Sequence, residues 1–106
     1  MSRISNLDYL RKVVSGTVTA TDQCPFNFPF PIMQTLGFRL VEVAEGTASM
    51  EMETRTDVHS NPMGTIHGGV LCDIADAAMG TAHFTTVADG ESFTSIDLQI
   101  NFFRPV

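Results

Sequence analysis

Apolar residues recur at changing intervals along this chain, and the interval predicts the type of each element. Residues 6–14 carry leucine and valine at helical spacing, and Gly16 is placed to end that helix. Residues 38–44 and 47–54 are two strand-like runs separated by a Glu-Gly turn, which is typical of a β-hairpin. In the second run Ala and Met alternate with Ser and Glu, so one face of that strand is predicted to be buried.

A second set of patterns fills the C-terminal half of the chain. Residues 66–84 form one long apolar run with the length of a helix, and residues 88–91 are typical of a turn. Residues 93–103 alternate again, which predicts a strand with the apolar side chains at 96, 98, 100 and 102 directed inward. The patterns together predict an α+β fold, in which an antiparallel sheet curls around one long helix.

The remaining segments are predicted to be short or irregular. Residues 17–31 are rich in Thr, Pro and Phe, and we expect their phenylalanines to be covered by the domain or by a partner chain. Residues 32–36 suffice for one helical turn before Gly37. Residues 55–64 are predicted to be a loop that contains Asn61-Pro62.

The bulk composition limits the possible functions. The chain has 106 residues, enough for one small domain, and a net charge of −6. A nucleic-acid partner requires a basic surface, so this charge argues against one. No stretch approaches the ~20 apolar residues of a membrane span, and the first residues lack the apolar core of a signal peptide. We therefore expect no membrane partner.

The cysteines give no sign of a metal site. Cys24 and Cys72 do not have metal-binding spacing, and nothing else in the sequence indicates a cofactor. We interpret them as reduced thiols of a cytoplasmic protein, with a structural disulfide as the open alternative. We expect neither a metal nor another cofactor.

The residues with the clearest chemical content lie between positions 61 and 82. Gly68 and Gly69 fall where the long helix is predicted to begin, and a helix start presents unpaired backbone N–H groups and the positive end of a dipole. Asp76 lies inside the same helix, among alanine, isoleucine and methionine. A carboxylate in apolar surroundings is costly to bury, so it requires a partner or a function.

This arrangement resembles the hotdog-fold acyl-CoA thioesterases, in particular the PaaI-like (phenylacetate-pathway-like) branch of the 4-hydroxybenzoyl-CoA thioesterase superfamily. The family pattern is an Asn, a Gly three residues later, His-Gly-Gly, and an acid nine residues after the His. Here Asn61, Gly64, the run His67-Gly68-Gly69 and Asp76 stand at those positions. Residues 94–105, which end in Phe-Phe-Arg-Pro, are similar to the family's next strand.

The resemblance implies a hydrolase of acyl-CoA thioesters with three catalytic residues. Asp76 corresponds to the acid that acts as general base or nucleophile. The Gly68 backbone N–H corresponds to the donor that polarises the thioester carbonyl, since glycine permits close approach. Asn61 corresponds to a loop residue that positions water or the ligand carbonyl. The structural alternatives are a tight turn at the glycines and ordinary turn chemistry at Asn61.

Three further residues are expected to bind the substrate. His67 would hydrogen-bond near the thioester, or would instead fix the loop through a backbone hydrogen bond. Gly69 is the neighbour of the carbonyl donor. Ser95 corresponds to a polar strand position that helps to hold water near the acid, the alternative being an outward-facing serine. His59 and His83 are interpreted as surface or core-edge residues without a catalytic role.

Helix geometry predicts that the site is shared between subunits. Gly68 and Asp76 are eight residues apart on one helix, so they lie about 12 Å apart along its axis. Both cannot contact one thioester carbonyl from the same chain. If both are catalytic, they belong to different protomers, and we expect a homodimer or a homotetramer built as a dimer of dimers.

The division of the chain follows the resemblance. Residues 1–30 are interpreted as an N-terminal helix and irregular segment, and residues 31–106 as the hotdog domain. Family members continue with further strands beyond the Phe-x-Arg-Pro strand, whereas this sequence stops at Val106. The expectation is that the hotdog domain is truncated at its C-terminal end and lacks the last strands of the sheet; the open alternative is that the sheet is completed in another way.

The sequence leaves open how the substrate is bound, and it allows two alternatives to the thioesterase function. Coenzyme A carries several negative charges, so its binding would depend on Arg39, Arg55 or Arg104, and the acyl group would enter an aromatic slot. The candidate lining residues of that slot are Phe28, Phe30, Phe84 and Phe93. Hydration of an enoyl-CoA is disfavoured, because the Asp and His of such a site do not have the required spacing. A catalytically silent acyl-CoA-binding or scaffold protein is the main alternative.

Overall fold

A computed structural model of the chain describes residues 4–23, 28–88 and 91–106. The elements in chain order are α1 (Asn6–Ser15), α2 (Pro31–Leu36), β1 (Phe38–Ala44), β2 (Thr47–Met52), α3 (Thr56–His59) and α4 (Gly68–Phe84). The fold is α+β, with a two-stranded antiparallel sheet and one long helix. Cys24 and two residues of the predicted turn at 88–91, Asp89 and Gly90, lie outside the described residues.

The two short helices form where the sequence predicts them. The Ser5 hydroxyl caps α1 by accepting a hydrogen bond from the Asp8 N–H at 3.1 Å, and Gly16 ends the helix in the left-handed region at φ +72°. Pro31 begins α2, and Gly37 ends it at φ +82°. Both predicted stop signals are confirmed, because glycine adopts positive φ without steric cost.

The predicted hairpin is also confirmed. β1 and β2 pair in antiparallel register, with Phe38 opposite Met52 and Ala44 opposite Thr47. The turn between them has Gly46 at φ +77°. On β2 the alanine and methionine side chains are half-buried and the serine and glutamate side chains are exposed, so the alternation identifies the buried face correctly.

The core lies between the sheet, α4 and the two N-terminal helices. One buried cluster joins Leu10 of α1 with Leu40 of β1 and Phe84 of α4. A second joins Met33 of α2, Phe38 of β1 and Ala77 of α4. Each cluster takes one residue from three different elements, so α1 packs near the C-terminal end of α4 and α2 packs near its middle. No helix of the described residues is long and apolar enough to cross a membrane.

The predicted strand over residues 93–103 is wrong. Residues 91–106 form no strand, and the sheet of the described residues contains β1 and β2 alone. A strand exists only through hydrogen bonds to a neighbouring strand, and this segment instead runs along α4 in the opposite direction. Its alternating apolar residues are therefore not directed into a core: Ile96 is 98% exposed. Of the sheet that was predicted to curl around the helix, the described residues form two strands, β1 and β2.

A short helix, α3, replaces part of the loop predicted over residues 55–64. His59, predicted to be a surface or core-edge residue, is buried. The side chain of His59, at the end of α3, is 1% exposed. Its Nδ1 accepts a hydrogen bond from the Arg55 N–H at 2.9 Å, and its Nε2 lies 2.7 Å from the Leu36 carbonyl oxygen. The ring is thus the neutral tautomer with its proton on Nε2. The His59 carbonyl also accepts a hydrogen bond from the His67 N–H at 2.7 Å, so this residue joins α2, α3 and the start of α4.

Replacing His59 with Ala is expected to lower the free energy of unfolding by about 2–4 kcal/mol, since it opens a cavity and removes two part-buried hydrogen bonds to the backbone. Urea unfolding followed by circular dichroism measures the effect. His83→Ala is the matched control: His83 is exposed and contributes an edge-to-face contact with the Phe93 ring. Equal stability of the two variants would contradict the structural role of His59.

Candidate functional site

The start of α4 is fixed by the residue that precedes it. His67 is the N-cap, with φ −62° and ψ 133°, and its Nδ1 accepts a hydrogen bond from the Gly69 N–H at 2.9 Å. His67 therefore makes the backbone hydrogen bond that was one of its two predicted roles. The Gly68 N–H has no hydrogen-bond partner in the described part of the chain, which leaves this donor at the positive end of the helix dipole.

Asn61 holds the loop before α4. Its Oδ1 accepts hydrogen bonds from the N–H groups of Met63 at 2.9 Å and Thr65 at 3.2 Å, and its Nδ2 donates to the Thr65 hydroxyl at 2.7 Å. Gly64 completes the turn at φ +84°. Both ends of the Asn61 amide are thus engaged within the loop, which is the turn chemistry named as its alternative role.

Asp76 contacts the segment that follows α4. Its side chain is half-buried, and Oδ1 accepts a hydrogen bond from the Ser95 hydroxyl at 2.5 Å. A hydroxyl donor stabilises a carboxylate among apolar neighbours, and an acid–serine pair can also hold a water molecule between the remaining lone pairs. Asp76 and Ser95 are two predicted site residues, 19 positions apart in the sequence, that the structure brings into direct contact.

A cleft of about 490 Å³ lies beside this pair. All four phenylalanines of the predicted aromatic slot line it, two from the segment before α2 and two from the end of α4 and beyond. The complete lining is Phe28, Phe30, Ile32, Asp73, Asp76, Ala77, Gly80, Thr81, Phe84, Phe93, Thr94 and Ser95. The volume is within the range of small-molecule sites, and an apolar cleft with a few polar groups is their usual composition.

The other predicted site residues lie at the far end of α4. Gly68 and Asp76 are both on this helix, about 12 Å apart along its axis. The C-terminal segment spans the distance, since Ser95 contacts Asp76 and the Phe102 ring lies over Gly68. A Cβ atom added at Gly68 would lie 3.1 Å from Phe102 Cζ. One chain therefore places an acid beside the cleft and a backbone donor under an aromatic ring at two separate positions on α4.

Sequence reasoning named six of the twelve residues that line the cleft and missed the other six. Thr81 is 5% exposed and lines it together with Ala77, one helical turn earlier. Gly80 leaves room for the Phe93 ring, 3.6 Å from where its Cβ would be. Asp73 is exposed and also lines the cleft. The 3.6-residue period of α4 was the available signal for Thr81, because it places this residue on the buried side of the helix.

The arginines differ in their partners. Arg39 forms an ion pair with Glu51, and Arg55 forms one with Asp57 at 2.7 Å. No carboxylate pairs with Arg104 among residues 4–23, 28–88 and 91–106. The Val106 carbonyl accepts a hydrogen bond from the Ile66 N–H at 3.0 Å, so the chain around Arg104 is tied to the loop that leads into α4. The same described residues contain no group of three or more His, Cys, Asp or Glu that could hold a metal ion.

Comparison with known proteins places the chain in a family. Residues 23–106 match the Domain of unknown function (DUF4442), and the protein belongs to this family. No curated protein matches the chain, and no solved structure matches it. The matched region includes the cleft, the loop before α4 and the C-terminal segment.

Proposed function

We propose that this protein is an acyl-CoA thioesterase of the hotdog type, which hydrolyses an acyl-CoA to the free acid and coenzyme A. The observation that carries the proposal is the hydrogen-bonded pair of Asp76 and Ser95 at an aromatic cleft. The resemblance of residues 61–76 to the thioesterase motif supports it. The Gly68 N–H at the start of the same helix, which has no hydrogen-bond partner among the described residues, supports it as well.

In the proposed reaction, Asp76 accepts a proton from water as the water oxygen attacks the thioester carbonyl carbon. The negative charge that develops on the carbonyl oxygen is stabilised by the Gly68 N–H and by the dipole of α4. The tetrahedral intermediate then breaks its carbon–sulfur bond, and the coenzyme A thiolate leaves and takes up a proton. Ser95 positions the carboxylate and the water, and the aromatic cleft holds the acyl group.

The proposed site is composed of two chains. Asp76 of one protomer and Gly68 of another would face the same thioester, since about 12 Å of helix separates them within one chain. The assembly would be a homodimer or a homotetramer. The location in the cytoplasm, which the cysteines suggest, stays a prediction.

We further propose that Arg104 contacts a phosphate of coenzyme A, because Arg39 and Arg55 already pair with carboxylates. Arg104→Ala is expected to raise KM about fivefold at low salt with little change in kcat, the loss of one exposed charge contact. Steady-state kinetics at two salt concentrations measures this. Arg11→Ala, which removes an exposed arginine of α1, is the control. A KM for Arg104→Ala equal to that of the control would contradict this assignment.

A catalytically silent acyl-CoA-binding protein is the second candidate function. The engagement of Asn61 within its own loop favours it, because the amide is not directed toward a separate ligand. The two functions differ in one measurement: the silent protein would bind an acyl-CoA and release no thiol.

Thiol release from a panel of aromatic and medium-chain acyl-CoAs tests the proposal. We expect hydrolysis by the wild-type chain and its loss in Asp76→Asn. Binding without hydrolysis by a folded oligomer would favour the silent alternative, and equal hydrolysis by both proteins would remove Asp76 from the mechanism.

A further inference from the structure

The charges that line the cleft are all of one sign. Among the described lining residues the ionisable side chains are Asp73 and Asp76, which lie three residues apart on α4 and therefore on the same side of the helix. The remaining lining residues are apolar side chains, glycine and hydroxyl groups. A ligand that enters this cleft thus meets negative charge and no compensating cation from the described chain.

The two acids differ in their surroundings. Asp76 is half-buried and accepts the Ser95 hydrogen bond. Asp73 is exposed, and no ion pair of the described residues includes it. In the proposed reaction Asp76 faces the thioester, so Asp73, one helical turn toward the start of α4, is the second carboxylate that a ligand in the cleft meets.

The aromatic rings contribute to the electrostatics of the cleft through their faces. The face of a phenyl ring carries partial negative charge, so a cation is attracted to it and an anion is repelled. Phe28 and Phe30 pack edge to face with ring centroids 5.5 Å apart, and Phe84 and Phe93 lie with centroids 6.4 Å apart. All four rings line the cleft, and wherever a ring presents its face to a ligand it favours a cation over an anion.

We infer that the cleft selects acyl groups by charge and that Asp73 is the specificity-determining residue. An acyl chain that ends in an ammonium group is preferred to a neutral chain of the same length, and a chain that ends in a carboxylate is rejected. This inference rests on the proposed function, because it assumes that the acyl group of a thioester occupies the cleft. Asp73 touches the end of the acyl chain and takes no part in the proton transfer.

The test uses three coenzyme A thioethers, which cannot be hydrolysed: the hexyl, the aminohexyl and the carboxypentyl derivative. Isothermal titration calorimetry of the full chain gives their dissociation constants. The wild-type protein is expected to bind the aminohexyl derivative most tightly and the carboxypentyl derivative most weakly. Asp73→Asn is expected to reduce the ratio between these two by at least about fivefold, the effect of one partly screened charge.

Asp97→Asn is the matched control. It removes one exposed carboxylate from the segment that lines the cleft, yet Asp97 does not line the cleft and instead accepts a hydrogen bond from Gln99 at 3.1 Å. An unchanged ratio in Asp73→Asn would overturn the inference, as would an equal change in Asp97→Asn or the absence of binding by all three thioethers. Thioether binding in the expected order, combined with no hydrolysis of acyl-CoA, would sustain charge selection and reject the thioesterase.

Discussion

Asp76→Asn is expected to reduce kcat for acyl-CoA hydrolysis by at least ~10²-fold, the scale of a lost general base. The substitution changes little else. Asparagine has the same shape, and its Oδ1 can still accept the hydrogen bond that the Ser95 hydroxyl donates to Asp76. The cleft and the packing of α4 are therefore expected to persist, and KM is expected to change less than kcat.

The control for this variant must remove a carboxylate without touching the cleft. Asp97→Asn meets that requirement, because Asp97 is exposed and does not line the cleft. Thiol release is measured for the wild-type protein and both variants after circular dichroism has shown equal helix content. Hydrolysis by Asp76→Asn at the wild-type rate would remove this residue from the mechanism.

Gly68→Pro is expected to have the second large effect, a fall in kcat of about 10²–10³-fold from the loss of one oxyanion donor. Proline deletes the backbone N–H, and the first position of a helix tolerates it. Gly68 is that position in α4, and the preceding residue, His67, already has the extended conformation that a following proline requires, with ψ 133°. The variant thus removes the proposed donor and leaves the helix intact.

Gly68→Ala is the matched control because it adds a Cβ atom and retains the N–H. In both variants this atom meets the tip of the exposed Phe102 ring, 3.1 Å away, and the ring must shift by a few tenths of an ångström. Any effect of that shift is common to the two proteins. Similar losses in Gly68→Ala and Gly68→Pro would indicate that the ring contact matters and that the donor does not.

Local patterns predicted most of the elements. The helix α1, the hairpin and α4 follow from signals that lie within a few residues of each other, such as the Ser5 cap, the glycines after α1 and α2, and the alternation of β2. The motif also placed Gly68 and Asp76 on one helix, from which their separation follows. These elements are determined by interactions between residues that lie close together in the sequence.

The incorrect predictions depend on distant contacts. Residues 93–103 have the alternation of a strand, but alternation does not show whether a neighbouring strand is present to pair with them. The burial of His59 depends on the Leu36 carbonyl, which belongs to another element. The cleft brings Phe28 and Phe30 close to Phe84 and Phe93, which lie more than 50 positions later in the sequence. The sequence could therefore name these four phenylalanines as candidates but could not show that their rings line one cleft.

A mixing experiment tests the shared site most directly. Asp76→Asn and Gly68→Pro chains are each expected to be inactive, and the two are unfolded together and refolded as mixed oligomers. A mixed dimer contains one site with both Asp76 and Gly68 intact, so a statistical mixture should recover about a quarter of the wild-type activity. Recovery to that level is the predicted result. Inactivity of the mixture, beside an active wild-type protein treated in the same way, would contradict a site composed of two chains.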